Sequence, residues 1–339
     1  MVGMAHGSNG GWSRWLVAGA LTTLVCASAC GSASKVDATD DGATSAGGAA
    51  GSGGAQGSSG TAGFVGGDAG NAGAAGGSPF DGCHNVDVLF VIDDSGSMSD
   101  KQQALAAAFP SFAKTMKQKL SNAVSYHVGV VTSDDYTSNP AGCRSIGDLV
   151  VKTGGPLSSN QACGPFSGNA FIDGADPQLD AKFQCVAKVG SGGSDNEKVM
   201  RGLLNAVDPA RNAPGKCNAG FARADSLLIV VIIADEDDAG DPGCDPFMGN
   251  CMTGSGGTST EWFDELVAKR GGIADNVVVL SLVNKAQDCA GSIGARLTGF
   301  TKKFKHSAVG DVCTLDYGAF FDGALPAIGA ACEGYTPVK

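Results

Sequence analysis

Basic side chains are few in this chain. Only 23 Lys and Arg stand against 34 Asp and Glu, a formal charge of -11, which argues against nucleic acid or an anionic lipid surface as the main partner and toward cations. Histidine is scarcer still: His6, His84, His127 and His306 are the whole set, and none follows a later acidic strand end as a Ser-Asp-His hydrolase requires. The nucleophile elbow GxSxG is missing. So is the P-loop, because PARNAPGKC puts Ala210 where its first glycine belongs and Cys217 where a Ser or Thr would hold magnesium. No cysteines stand in CxxC spacing, which removes zinc ribbons and thioredoxin-like redox chemistry. Every apolar run is too short for a convincing membrane span. With no acid-base or nucleophile set in view, the chain reads as a non-enzyme.

What is present begins with an export leader. Arg14, the apolar run 15–25 and the small residues of ASAC read as a secretory signal over 1–29. Cys30 follows Ala27, Ser28 and Ala29, an order that resembles a bacterial lipobox, with Ala27 where those boxes usually carry Leu. The resemblance implies cleavage before Cys30 and a lipid on its sulfur, hence anchoring in the bacterial cell envelope, at the outer membrane or cell surface. The alternative is an ordinary secreted protein cut nearby. The region 30–80 is mostly Gly, Ala and Ser, with no hydrophobic period, so it cannot bury enough apolar area to offset chain entropy and reads as a flexible tether. A coil of about 50 residues reaches on the order of 40 Å.

The domain proper spans 81–339. Apart from Cys26 and Cys30, the cysteines are Cys83, Cys143, Cys163, Cys185, Cys217, Cys244, Cys251, Cys289, Cys313 and Cys332, an even and widely scattered set that suits disulfides stapling long loops in an oxidising compartment. Connectivity does not follow from spacing; the cheapest local pair is Cys244 with Cys251. Short apolar strands at 86–92, 124–132, 226–234 and 277–283 alternate with helical patterns. That alternation predicts an α/β fold, a doubly wound and mostly parallel central sheet flanked by helices. Leu105, Phe109, Phe112, Met116 and Leu120 mark one helix, which Pro110 should start, kink or break. Val199, Leu203 and Val207 mark a second, and 260–270 a third, with Thr258 and Glu261 as its capping box and Gly271 as its stop. LVVKTG, near Leu149, offers an antiparallel edge strand, and the segments around Leu297, Phe300, Phe304, Phe320, Phe321 and Leu325 read as further helices.

The chemistry concentrates in DVLFVIDDSGSMSD, where an apolar strand stops at Asp93 and Asp94 and a hydroxyl-rich turn follows. Ligands of open parallel sheets bind at the carboxyl ends of strands, which is where this cluster falls. A helix cap needs one such side chain, not a series. Alternate residues of an extended turn can aim Asp93, Ser95 and Ser97 at one point, and Mg2+, a hard ion that takes six oxygens at about 2.1 Å, suits them. Asp94, between them, reads as a solvated turn carboxylate.

Asp93-x-Ser95-x-Ser97 after VDVLFVI resembles the DxSxS motif of von Willebrand factor A domains, the metal-ion-dependent adhesion site. The resemblance covers about 250 residues and implies the Rossmann-like fold of that family. It also implies Mg2+ or Mn2+ as cofactor, completed by a hydroxyl from a Gly-rich loop and a carboxylate at the end of the fourth strand. Ser194 in GSGGSDNE and Asp235 in LLIVVIIADEDD stand at those positions. Ser194 stands where Thr is usual and also fits an S-x-x-E capping box with Glu197, so ligand and cap are both open for it; Ser191 is the fallback ligand. Ala234 and Glu236 replace the usual Thr and Gly around Asp235.

DEDDAGDPGCD fails the EF-hand spacing, with Ala239 at the fifth position and Pro246 at the twelfth. A looser Ca2+ site from Asp237, Asp238 and Asp241 stays open beside a merely solvated acidic loop. The function implied by the resemblance is metal-dependent protein binding, in adhesion or assembly, in which the ion accepts an Asp or Glu carboxylate from a partner and engagement is coupled to a shift of the C-terminal helix. The membrane is met through the lipid anchor only. The competing expectation is a structural envelope scaffold with a non-essential Ca2+ or Mg2+ site.

Overall fold

Near-continuous runs of Val, Leu and Ile without polar alternation belong in strands covered on both faces. β1 (Asn85–Ile92), β2 (Ser125–Thr132), a two-residue β3 (Ile172–Asp173), β4 (Ser226–Ala234), β5 (Val277–Val283) and β6 (His306–Asp311) form one six-stranded sheet in the order β3-β2-β1-β4-β5-β6. Every pairing is parallel except that of β2 with β3. The computed structural model describes residues 82–166, 170–240, 253–286, 289 and 291–338. The leader, Cys30, the tether, Asp241, Cys244 and Cys251 lie outside the described residues.

The helices are α1 (Ser99–Lys119), α2 (Leu179–Val186), α3 (Val199–Ala206), a short α4 (Pro209–Asn212), α5 (Ser259–Lys269), α6 (Ala295–Thr301) and α7 (Tyr317–Glu333). They cover the sheet on both sides. Val88, Phe90 and Ile92 pack with Phe109, Phe112, Phe183 and Phe321 of α1, α2 and α7, while Leu89 and Val91 pack with Met200, Leu203, Trp262 and Phe300 of α3, α5 and α6. The predicted α/β class and mostly parallel sheet are therefore observed. The capping box of α5 forms as read, with Glu261 N donating to Thr258 Oγ1 and Thr258 N to Glu261 Oε2.

Several expectations are corrected. Pro110 neither starts nor breaks a helix: α1 runs through it, because the buried stripe of Leu105, Phe109, Phe112 and Met116 outweighs one lost backbone bond. The antiparallel edge is β3, not LVVKTG, whose Val150 N donates to Val130 O while Lys152 makes only a lone bridge with Ala162. The C-terminal region holds a strand as well as two helices: β6, HSAVGD, sits at the sheet edge and is half-buried, so it lacks the apolar run that marks its neighbours.

Four disulfides staple the described chain, Cys83–Cys332, Cys143–Cys217, Cys163–Cys185 and Cys289–Cys313. At the start of β1 a fully buried Asp87 accepts from Arg223 N at 2.7 Å, Arg223 Nε at 2.8 Å and Arg223 Nη2 at 2.6 Å, and also from Ser226 Oγ. This knot ties the bottoms of β1 and β4. Removing one partner of a buried pair leaves the other charge uncompensated, so Asp87→Ala should lower unfolding free energy by about 3–5 kcal/mol in urea denaturation, and a loss under about 1 kcal/mol would refute that role.

Candidate metal centre

The strand order reverses between β1 and β4: α1 leaves β1 toward one face of the sheet, and α5 leaves β4 toward the other. The crevice of a doubly wound sheet opens at such a point, beyond the carboxyl ends of the strands. Asp93 and Asp235 stand directly beyond β1 and β4, and the ladder continues under them, with Asp93 N donating to Ile233 O at 2.9 Å. Both carboxylates are fully buried.

The turn after β1 brings three of the predicted residues to Asp235. Ser95 N donates to Asp93 Oδ1 at 2.7 Å, which folds the turn back on its own carboxylate. Ser95 Oγ lies 3.4 Å from Ser97 Oγ, and Ser97 Oγ donates to Asp235 Oδ1 at 3.0 Å. Asp93 Oδ2 has no hydrogen-bond partner, and Asp235 Oδ2 has none of good geometry. The Lys101 ammonium stands 3.2 Å from that second oxygen and donates to Ser97 O at 2.9 Å. Among the described residues no group of three or more His, Cys, Asp or Glu side chains gathers as a metal cage, so an ion here would rest on two carboxylates and the serine hydroxyls.

The remaining predicted residues lie elsewhere. Ser194 is exposed; its N–H donates to Asp134 Oδ2 at 2.7 Å and its Oγ accepts from Asn196 N at 3.0 Å. No hydrogen bond joins it to Asp93, Ser95 or Ser97 in the structure. Its capping box is corrected too: α3 is capped at Lys198 without a side-chain bond. Ser191 N donates to Pro156 O at 3.0 Å. Of the calcium candidates, Asp237 accepts from Arg296 N and Leu297 N and so caps α6, and Asp238 accepts from Met200 N, Ser255 N and Ser255 Oγ. Both carboxylates are already spent on donors.

Sequence reasoning missed Gln102, Lys101 and Glu197. Gln102, 1% exposed, donates to Asp93 O at 3.1 Å and Gly190 O at 2.8 Å and accepts from Gly190 N at 3.0 Å, clamping the Gly-rich loop onto the turn. Glu197 is 1% exposed and neither of its carboxyl oxygens has a hydrogen-bond partner. A signal existed: Lys101 and Gln102 interrupt the buried stripe of α1, and Glu197 precedes Met200, Leu204 and Val207 at helical spacing. A polar residue on an apolar stripe is the anomaly worth reading.

The electrostatics follow from burial. Asp93 is pushed well above the usual carboxylate range by desolvation and by the neighbouring Asp235, and Glu197 is raised by desolvation and by Asp93. Asp94, taken from sequence as solvated, is 5% exposed, accepts from Ser133 Oγ at 3.2 Å, and is pushed up to about 7 by burial and by Asp134.

No protein-family model matches the chain, and no curated protein matches it. Solved structures do. Proximal thread matrix protein 1 from the mussel byssus is 12% identical, with a TM-score of 0.40, over 73% of this chain and 49% of that one. The PilB minor pilin from Streptococcus sanguinis is likewise 12% identical, with a TM-score of 0.38, over 76% of this chain and 65% of that one. Its D319A mutant matches to the same extent. The chain thus spans about half of the byssus protein's length and under two thirds of the pilin's.

The raised acidity constants fix a pH dependence. The native state keeps a proton on Asp94 that the unfolded chain gives up near the model value of 3.8, so folded-state stability is present at low pH and is lost as pH rises to about 7. At about 1.4 kcal/mol per tenfold change, that loss is on the order of 4 kcal/mol. In EDTA, urea unfolding should show stability falling between about pH 4 and pH 7, and Asp94→Asn should flatten the profile; an unchanged slope in the variant would contradict the assignment.

Proposed function

We propose that this chain carries a von Willebrand A-like binding module, exported and lipid-anchored at the bacterial cell envelope through Cys30. It holds Mg2+ or Mn2+ through Asp93, Ser95, Ser97 and Asp235, and it recognises a protein partner that presents an Asp or Glu carboxylate. The observation that supports this reading is the pair of buried carboxylates at the strand switch point, each with an oxygen lacking a good hydrogen bond, bridged by serine hydroxyls. Buried anions of this kind are costly unless compensated, and a hard cation is the compensation that oxygen donors suit. The turn is open where Gly96 is exposed and Ser97 half-buried, which leaves a side for an outside ligand.

The ion supplies a Lewis-acidic centre that a carboxylate can enter by displacing water. The chain's own residues do the rest. Ser95 N and Gln102 fix the turn, and Lys101 neutralises part of the charge on Asp235. We read the site as binding rather than catalytic: His84, His127 and His306 stand at the opposite end of the sheet, at or before the starts of β1, β2 and β6. Four disulfides are compatible with an oxidising, exported address, and no helix among the described residues is long and apolar enough to cross a membrane.

Asp93→Ala should abolish Mn2+ binding in isothermal titration while leaving the far-UV circular dichroism unchanged, and a pull-down from native envelope should lose its partner in EDTA. Equal Mn2+ binding by wild type and variant would end the metal reading. A partner retained in EDTA would favour the scaffold reading instead.

A further inference from the structure

The loop between α2 and α3 has to contribute something to the switch-point crevice, and the structure turns the expected hydroxyl away. Ser194 is exposed and its Oγ is engaged by Asn196 N. Three residues on, Glu197 is 1% exposed, and its carboxyl lies against those of Asp93 and Asp94 and the Ser133 hydroxyl. Its backbone is held from two sides, by Ala239 N donating to Glu197 O at 2.8 Å and Lys198 N donating to Ser133 O at 3.1 Å. Neither carboxyl oxygen finds a hydrogen bond within the protein, and Asp93 Oδ2 is in the same condition. A buried group left unpaired in this way calls for a water, a proton or an ion. Two such groups facing each other from separate elements, each fixed by backbone bonds, make a built cavity for something positive.

Resting on the reading of a divalent cation at Asp93, Ser95, Ser97 and Asp235, we propose that Glu197, not Ser194, is the residue through which this loop holds the ion. It does so as an outer anion, accepting hydrogen bonds from water that the cation retains. Mg2+ keeps several waters, and carboxylates in that outer position are worth about 10- to 100-fold in affinity. The assignment changes the charge balance. Asp93 and Asp235, offset by the Lys101 ammonium, leave a divalent ion with one positive charge in excess; Glu197 cancels it. The ion is therefore resident before any partner arrives, and a partner carboxylate enters by exchange with water rather than as the charge that retains the metal.

The test is a Mn2+ titration of the full chain as wild type, Glu197→Gln, Ser194→Ala and Asp93→Ala, with thermal unfolding of each in EDTA and in Mn2+. Glu197→Gln should bind Mn2+ at least tenfold more weakly and lose most of the Mn2+-induced rise in unfolding temperature. Its unfolding temperature in EDTA should equal or exceed that of wild type, because the substitution keeps the volume and removes one of two facing acids. Ser194→Ala should bind within twofold of wild type. Wild-type affinity in Glu197→Gln would overturn the proposal and leave the pair to a shared proton; a tenfold loss in Ser194→Ala would overturn it in favour of the hydroxyl. If wild type binds no Mn2+, or Asp93→Ala binds as wild type does, the underlying metal reading fails and this proposal with it.

Discussion

Two carboxylates are held side by side, out of water, because β1 and β4 are neighbours in register. Ile92 pairs with Ile233, and the next steps along the two strands are the backbone of Asp93 and the side chain of Asp235. Nothing in either strand can move these groups apart without breaking the most buried part of the sheet, where β4 is covered at all nine positions. The unfavourable electrostatics of the pair are thus imposed by the apolar core. The hydroxyls of Ser95 and Ser97, the Lys101 ammonium and the position of Glu197 are all responses to that constraint.

The surroundings show how tightly the ends of the strands are fixed. Gly193 N donates to Asp94 O at 2.8 Å, and a Cβ at Gly193 would come within 2.7 Å of Asp94 Cγ, so only glycine lets the loop lie on the turn. Gly291, at φ +110°, lies so close to Asp235 that a Cβ there would approach its carbonyl oxygen to 2.1 Å. Asp238, buried, binds the first residues of α3 and Ser255, while Asp237 caps α6. The acidic run after β4 is therefore structural over the described residues: its charges satisfy helix N-termini, where negative charge is stabilising.

Which parts were legible from the sequence follows from how local the cause is. The four long strands could be read because burial on both faces writes itself into composition; β6 could not, because an edge strand with half-buried residues carries no such run. The DxSxS turn could be read because its geometry is set within five residues by Ser95 N and Asp93. Ser194 could not be placed, since its direction is set by Asp134, sixty residues earlier in the chain. Asp94 was misjudged for a similar reason: the Ser133 hydroxyl and the Gly193 loop that bury it come from β2's end and from a distant connection. Glu197 fitted a local capping rule so well that its place on the stripe of Met200, Leu204 and Val207 went unread.

The disulfides bear on how such a site can communicate. Cys83, two residues before β1, is joined to Cys332 in the last turn of α7, across a sequence separation of 249. Closing a loop of that length removes on the order of 5 kcal/mol of unfolded-state entropy in the chain-entropy account. It also fixes the end of α7 to the base of the central strand, the end of the sheet opposite Asp93 and Asp235. Cys289–Cys313 holds the turn that leads into the same helix from the other end. A slide of α7 along its axis, which the family resemblance implies on ligand engagement, would have to pull against both bonds. With them intact, a signal from the metal end has its easiest route sideways, through the 190–198 loop and Gln102, rather than down the C-terminal helix.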